Sequence, residues 1–141
     1  MSKSFRIILF IILTIVAAGV SFGLYLYNKP HVNVAKLEPD AKITAHHLFT
    51  EFQKDETAAN EKYLGKVIEI KGIVGEVIIN ENGSINIILR DPDSFSGINC
   101  AFETPVDDGV KNIVQGDQII VRGLCSGMLL DVVLNRCILV E

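Results

Sequence analysis

The sequence has no tryptophan, only three cysteines and only four prolines in 141 residues. Cys100, Cys125 and Cys137 are separated by 25 and 12 positions, so there is no Cys-x-x-Cys pair of the kind that holds zinc or runs dithiol exchange. No Cys-His pairing or glycine-rich phosphate loop occurs, and the one Gly-x-Ser-x-Gly spacing, Gly19 to Gly23, lies inside an apolar run rather than at a strand-to-helix turn, which leaves the familiar nucleophile and nucleotide signatures unfilled. No catalytic residue, metal ligand set or cofactor can be nominated, and the reading is of a protein that is not an enzyme. Positive charge is also scarce, with 13 Lys+Arg against 17 Asp+Glu. Nucleic-acid grooves are basic because they must neutralise phosphates. The balance argues against such a partner.

What is plentiful is apolar residue at the N-terminus. From Phe5 to Tyr27 no charge follows Arg6. At 1.5 Å rise per residue the run matches a hydrocarbon core of roughly 30 Å. A cleaved signal peptide would have a shorter apolar region ending in small residues, whereas Ala17-Ala18-Gly19 sits mid-run. An uncleaved single-pass anchor over residues 1–28 is expected. Lys3 and Arg6 precede the span and keep the short tail cytoplasmic by the positive-inside tendency. The rest is then expected outside the cytoplasm, in the periplasm of a bacterial cell envelope. Without Lys3 and Arg6 that part carries 11 Lys+Arg and 17 Asp+Glu, a net charge of −6. Residues 29–43, punctuated by Pro30 and Pro39 and lacking periodicity, read as a linker.

Residues 44–141 read as one mainly β domain with a leading helix. Thr44 can cap a helix to Tyr63, with Ala45, Leu48, Phe49, Phe52 and Ala59 recurring on one side. His46 and His47 are adjacent, about 100° apart on a helix, and do not converge on a metal. The organising stretch is Tyr63–Asn80. Ile68, Ile70, Gly72 and Val74 alternate with outward Glu69 and Lys71, and Gly72 and Gly75 then suggest a bend or bulge. Ile85, Ile87 and Leu89 give a second inward face, and Ile98, Cys100 and Phe102 a third. A short helical turn falls in 106–114. Gln118–Cys125 is a fourth strand, Ser126-Gly127 a reversal, and the last strand opens with Leu130, Val132 and Leu134 inward. A bulge near Asn135 would bring Cys137 and Leu139 inward too.

Three strands, a short helix and a closing hairpin is the order of a five-stranded OB-fold barrel. The segments NEKYLGKVIEIKGIV, CAF and GDQIIVRGLCSGMLLDVVLNRCIL resemble the tRNA_anti-like family of bacterial OB-fold lipoproteins. The resemblance covers about residues 45 to 141 and implies an OB barrel in an envelope protein. A membrane helix stands here where such a lipoprotein would have its acylated cysteine.

OB barrels that bind nucleic acid do so on the outer face of strands two and three, with aromatics and bases. That face here is Asn86, Ile88, Arg90, Asn99, Ala101 and Glu103, with Phe95 in the adjoining loop. Asn86, Ile88, Arg90, Phe95 and Asn99 are therefore the candidate contacts for a protein partner, an oligosaccharide or a peptide. Nucleic acid is the alternative occupant. Haem chaperones, with their anchor and exported OB barrel, offer a second alternative, but no histidine follows His47 to attach haem. The cysteines read either as buried inert thiols or as one disulfide, and a bridge would favour Cys125–Cys137 once a bulge brought them together.

Overall fold

The computed structural model describes residues 2–28 and 33–140. The chain divides into two units, residues 1–32 and 33–141. In the first, helix α1 (Lys3–Tyr27) starts at Ser2, whose hydroxyl accepts from the Phe5 N–H. It buries no residue and has a mean hydropathy of 2.7 over its best window, long and apolar enough to cross a membrane. Residues 29–32, the start of the expected linker, lie outside the described residues.

The remainder of that linker is part of the domain. Val34, in a 3-10 turn at Val34–Lys36, is buried. Strand β1 (Ala41–Thr44) pairs parallel with the next strand, Ala41 beside Ile68 and Thr44 beside Lys71. Asp40 holds the join from both sides: its N–H donates to the Val67 carbonyl and its carboxylate accepts the Val67 N–H, both at 2.8 Å. Only four residues make β1, too few for a period of two to stand out.

Thr44 caps the helix as expected, accepting from the His47 N–H at 3.2 Å. The single helix expected to Tyr63 is however two, α2 (Ala45–Lys54) and α3 (Glu56–Tyr63). Asp55 separates them. It is extended, and its carboxylate caps α3 by accepting from Ala58 N–H. Aspartate favours such a cap over a helix interior. Glu51 and Lys62 then bond across the two helices at 3.0 Å, with Lys62 Nζ 4.8 Å from the ring centre of the buried Tyr63.

Strand β2 (Val67–Ile79) is the long bent strand that the alternation predicts. Its first half pairs with β5 (Gln118–Met128), and its second half with β3 (Ile85–Leu89). The register shifts between Val74 and Glu76, at Gly75. Strand β4 (Ile98–Phe102) pairs with β3, and β6 (Val132–Val140) pairs with both β4 and β5. The ring β2-β3-β4-β6-β5 is closed, with β1 added outside it. Helix α4 (Asp108–Lys111) inserts Val110 into the core. A closed ring leaves no edge within the five strands, which answers the pairing hazard of open sheets.

Inward faces fall where alternation puts them. Ile68, Ile70, Ile87, Leu89, Ile98, Cys100, Val121 and Leu134 are fully or almost fully buried in one cluster with Leu48 and Phe52 of α2. Two expectations near the last hairpin fail. Ser126-Gly127 is not a reversal, because β5 runs on to Met128. Leu130, expected inward, is 84% exposed at the tip, and the inward set begins at Val132. The bulge does occur. Arg136 has φ 52°, and Cys137 turns into the core.

Candidate binding face

The outer face of β3 and β4 places Asn86 opposite Ala101 and Ile88 opposite Asn99. Three amides form a ladder across it. Asn80 Nδ2 donates to Asn86 Oδ1 at 3.0 Å, and Asn86 Nδ2 donates to Asn99 Oδ1 at 3.0 Å. Asn80 Nδ2 also donates to Ser84 Oγ at 2.9 Å, which fixes the direction of the chain of donors. The last donor, Asn99 Nδ2, makes no hydrogen bond among the described residues. The ladder thus presents a preset, uncharged, hydrogen-bonding row with one donor open at its end.

Ile88 is on this face and outside the core cluster, yet only 8% exposed. Glu76 and Asn99 stand beside it on the neighbouring strands. It therefore offers less surface than the alternation suggests, the bulk of its side chain lying under its neighbours on the face. Arg90 is committed as well. Its Nη1 donates to the Phe95 carbonyl at 3.1 Å and its Nη2 lies 3.5 Å from Glu76 Oε2. The stem of Arg90 occupies the space a side chain on Gly75 would need. Gly75 is therefore the glycine that lets this arginine fold back across the bend.

Phe95 stands at the opposite extreme, 98% exposed in the loop after β3. That loop is pinned to the β5–β6 tip: Gly97 N–H donates to Asp131 Oδ1 at 2.8 Å, and Val132 N–H donates to the Gly97 carbonyl at 3.0 Å. Leu129 and Leu130 at the tip are 88% and 84% exposed. Three bare apolar side chains thus rim one end of the face. Sequence reasoning found Phe95 but missed the leucines, because a Leu-Leu pair at the start of an expected strand reads as core. It also missed Asn80, which it placed only as the end of the organising stretch.

A cleft of about 400 Å³ opens beside the same loop, between α2 and the barrel. Ala45, Phe49 and Gly72 give it an apolar floor, and His46, Arg90 and Asp91 a polar lip. His46 pairs with Asp91, and His47 with Glu51 Oε1 at 3.0 Å. The two imidazoles serve different carboxylates. Among the described residues no group of three metal-binding side chains comes together.

All three cysteines are free and buried. The expected neighbours Cys125 and Cys137 are both inward, but they are not partners. Cys125 is registered with Leu134, whereas the bulge carries Cys137 opposite Gly123. Cys137 Sγ instead donates to the carbonyl of Leu134, which stands opposite Cys100 in the β4–β6 pair.

A closed five-stranded ring with the OB strand order defines an OB-fold domain. Within that class the chain belongs to the tRNA_anti-like family, whose model matches residues 1–139. Among solved structures it is similar to a "putative nucleic acid-binding lipoprotein" of Klebsiella pneumoniae subsp. pneumoniae MGH 78578. The identity is 16% and the TM-score 0.61, over 80% of this chain and 100% of that one. At such identity the likeness establishes the fold alone. A "putative aspartyl-tRNA synthetase" from Leishmania major Friedlin matches at 15% identity over 84% of this chain and 24% of its own. Its TM-score of 0.41 is too low to carry an argument. Comparison with curated proteins gives no match.

Proposed function

We propose that this chain is a membrane-anchored OB module, facing the cell envelope, that binds an uncharged polar chain such as an oligosaccharide or a peptide. The amide ladder Asn80–Asn86–Asn99, with its open terminal donor, carries the reading. Amides offer both donors and acceptors, as sugar hydroxyls and peptide groups require, and they ask for no charge on the ligand. Phe95, Leu129 and Leu130 supply apolar contact at one end. Helix α1 supplies the anchor, and the net charge of −6 beyond it suits a neutral ligand.

The test is capture of full-length protein in detergent micelles on arrays of oligosaccharides and peptides. Capture should fall at least tenfold in a variant carrying Asn86→Ala, Asn99→Ala and Phe95→Ala, with its thermal midpoint kept within a few degrees. Undiminished capture by that variant would remove the face from the proposal. Nucleic acid is the second reading, favoured by the description of the Klebsiella structure. It predicts retention of single strands with a steep inverse dependence on salt. The committed Arg90 and the acidic balance speak against it.

A further inference from the structure

Two local features fold Cys137 into the barrel. Arg136 takes the left-handed conformation at φ 52°, uncommon without glycine, and shifts the β5–β6 register between Leu124–Asn135 and Arg122–Ile138. Opposite it, Gly123 leaves room. A Cβ at Gly123 would lie 2.7 Å from Cys137 Sγ and 3.0 Å from Leu134 Cβ. The thiol fills that space and donates to the Leu134 carbonyl at 3.3 Å. Leu134 is in turn the register partner of Cys100 in the parallel β4–β6 pair. Cys137 Sγ thus sits in the core on the carbonyl of the residue that stands opposite Cys100, and both cysteines belong to the one buried cluster.

We propose that Cys100 and Cys137 are joined by a disulfide that staples β4 to β6, with Cys125 left as a free thiol. The seam it closes has the fewest register pairs of the ring. Strands β4 and β6 share three register pairs, Ile98–Val132 to Cys100–Leu134, whereas β2 and β5 share seven. The oxidant is a small or protein disulfide. One thiolate attacks it to form a mixed disulfide and release one thiol. The other cysteine then displaces the second thiol, so two S–H bonds are lost, one S–S bond forms, and two electrons reduce the oxidant. Cys137 borders a surface cleft with Phe102 and Val106, and is the thiol such a reagent meets first. Burial, chiefly, pushes the Cys137 thiol well above its ordinary range. Thiolate is then scarce in the folded barrel, and the bridge forms while the barrel is still closing. The proposal is independent of the ligand reading.

The experiment refolds full-length protein in detergent under a glutathione redox buffer, alkylates it in denaturant and digests it with trypsin without reduction. Cleavage after Arg90, Lys111, Arg122 and Arg136 puts each cysteine in its own peptide. The expected product joins the Asp91–Lys111 and Cys137–Glu141 peptides, lighter by two hydrogens than their sum, with Cys125 alkylated. Native protein incubated for days with oxidised glutathione, digested alike, should give the same link and covers a failed refolding. Three alkylated cysteines in both preparations, or a bridge that contains Cys125, would overturn the assignment.

Discussion

Arg122 of β5 grips Glu69 of β2 across the barrel wall. Its Nη2 and Nε donate to Glu69 Oε2 at 2.8 and 3.2 Å. Lys42 of β1 reaches the other oxygen at 3.4 Å, and Arg122 Nη1 donates to the Leu37 carbonyl at 3.1 Å. Three strands therefore meet at one carboxylate, with Arg122 tying in the Leu37 backbone as well, and the two principal side chains keep only 12% and 18% of their surface exposed.

Removing that carboxylate should cost more than its outward position in the alternation suggests. Glu69→Gln is expected to lower stability by about 1–3 kcal/mol, the range for a hydrogen bond to a charged partner. The Arg122 hydrogen bond, above all, holds the Glu69 carboxyl below its ordinary range. Its contribution is present above the unfolded value, about 4.3, and is lost as pH falls from there through the depressed folded value. Urea unfolding at a series of pH values should show a shallower acid slope in Glu69→Gln. An unchanged slope would remove the pair from the stability account.

The buried neighbour tests the register from the inside. Ile70 is fully buried, and Ile70→Ala should cost about 2–5 kcal/mol through lost burial and a cavity. At Gly72 an added Cβ would come within 2.8 Å of Ala45 Cβ and 3.2 Å of Leu89 Cβ. Gly72→Ala should therefore push α2 off the strand and cost about 1–3 kcal/mol. Chemical denaturation checks both, and Phe95→Ala, in open solvent, should stay within about 0.5 kcal/mol.

The ring itself was legible in the sequence because each of its inward faces alternates cleanly, Ile68/Ile70 and Ile98/Cys100 among them. The bend at Gly75 and the bulge before Cys137 were legible too, one from glycine and the other from broken parity at Arg136. Strand β1 was not. Its four residues gain their place from Asp40 and Val67, a contact of 27 positions' separation that no local pattern carries. The face was read residue by residue, but its organisation was not. Alternation told which way Asn86, Ile88 and Asn99 point. It could not tell that two of them bond to each other, or that the third is shielded.

Single-stranded DNA and RNA should not bind measurably at physiological salt. Binding through phosphates releases counterions and needs free cations. Arg90, the single cation expected on the face, is held by Glu76 and the Phe95 carbonyl. Fluorescence anisotropy with labelled oligonucleotides checks this. Micromolar affinity at about 150 mM salt would require a cationic surface elsewhere on the domain and would favour the second functional reading.

Full-length protein should remain in the membrane fraction through a high-salt or carbonate wash, and deletion of residues 1–28 should free it. Protease added outside the inner membrane should digest the domain. Release of intact protein by salt alone would mean that α1 does not span, and a protected domain would reverse the expected orientation.

Strand β6 is translated after every partner it pairs with, yet it closes the ring on both sides, to β4 and to β5. As the chain is made, the barrel must wait open until this strand emerges. During that interval the inward faces of β2 to β5 are bare. The lifetime of that unfinished state, whatever the stability of the finished one, sets how long those apolar faces are open to aggregation.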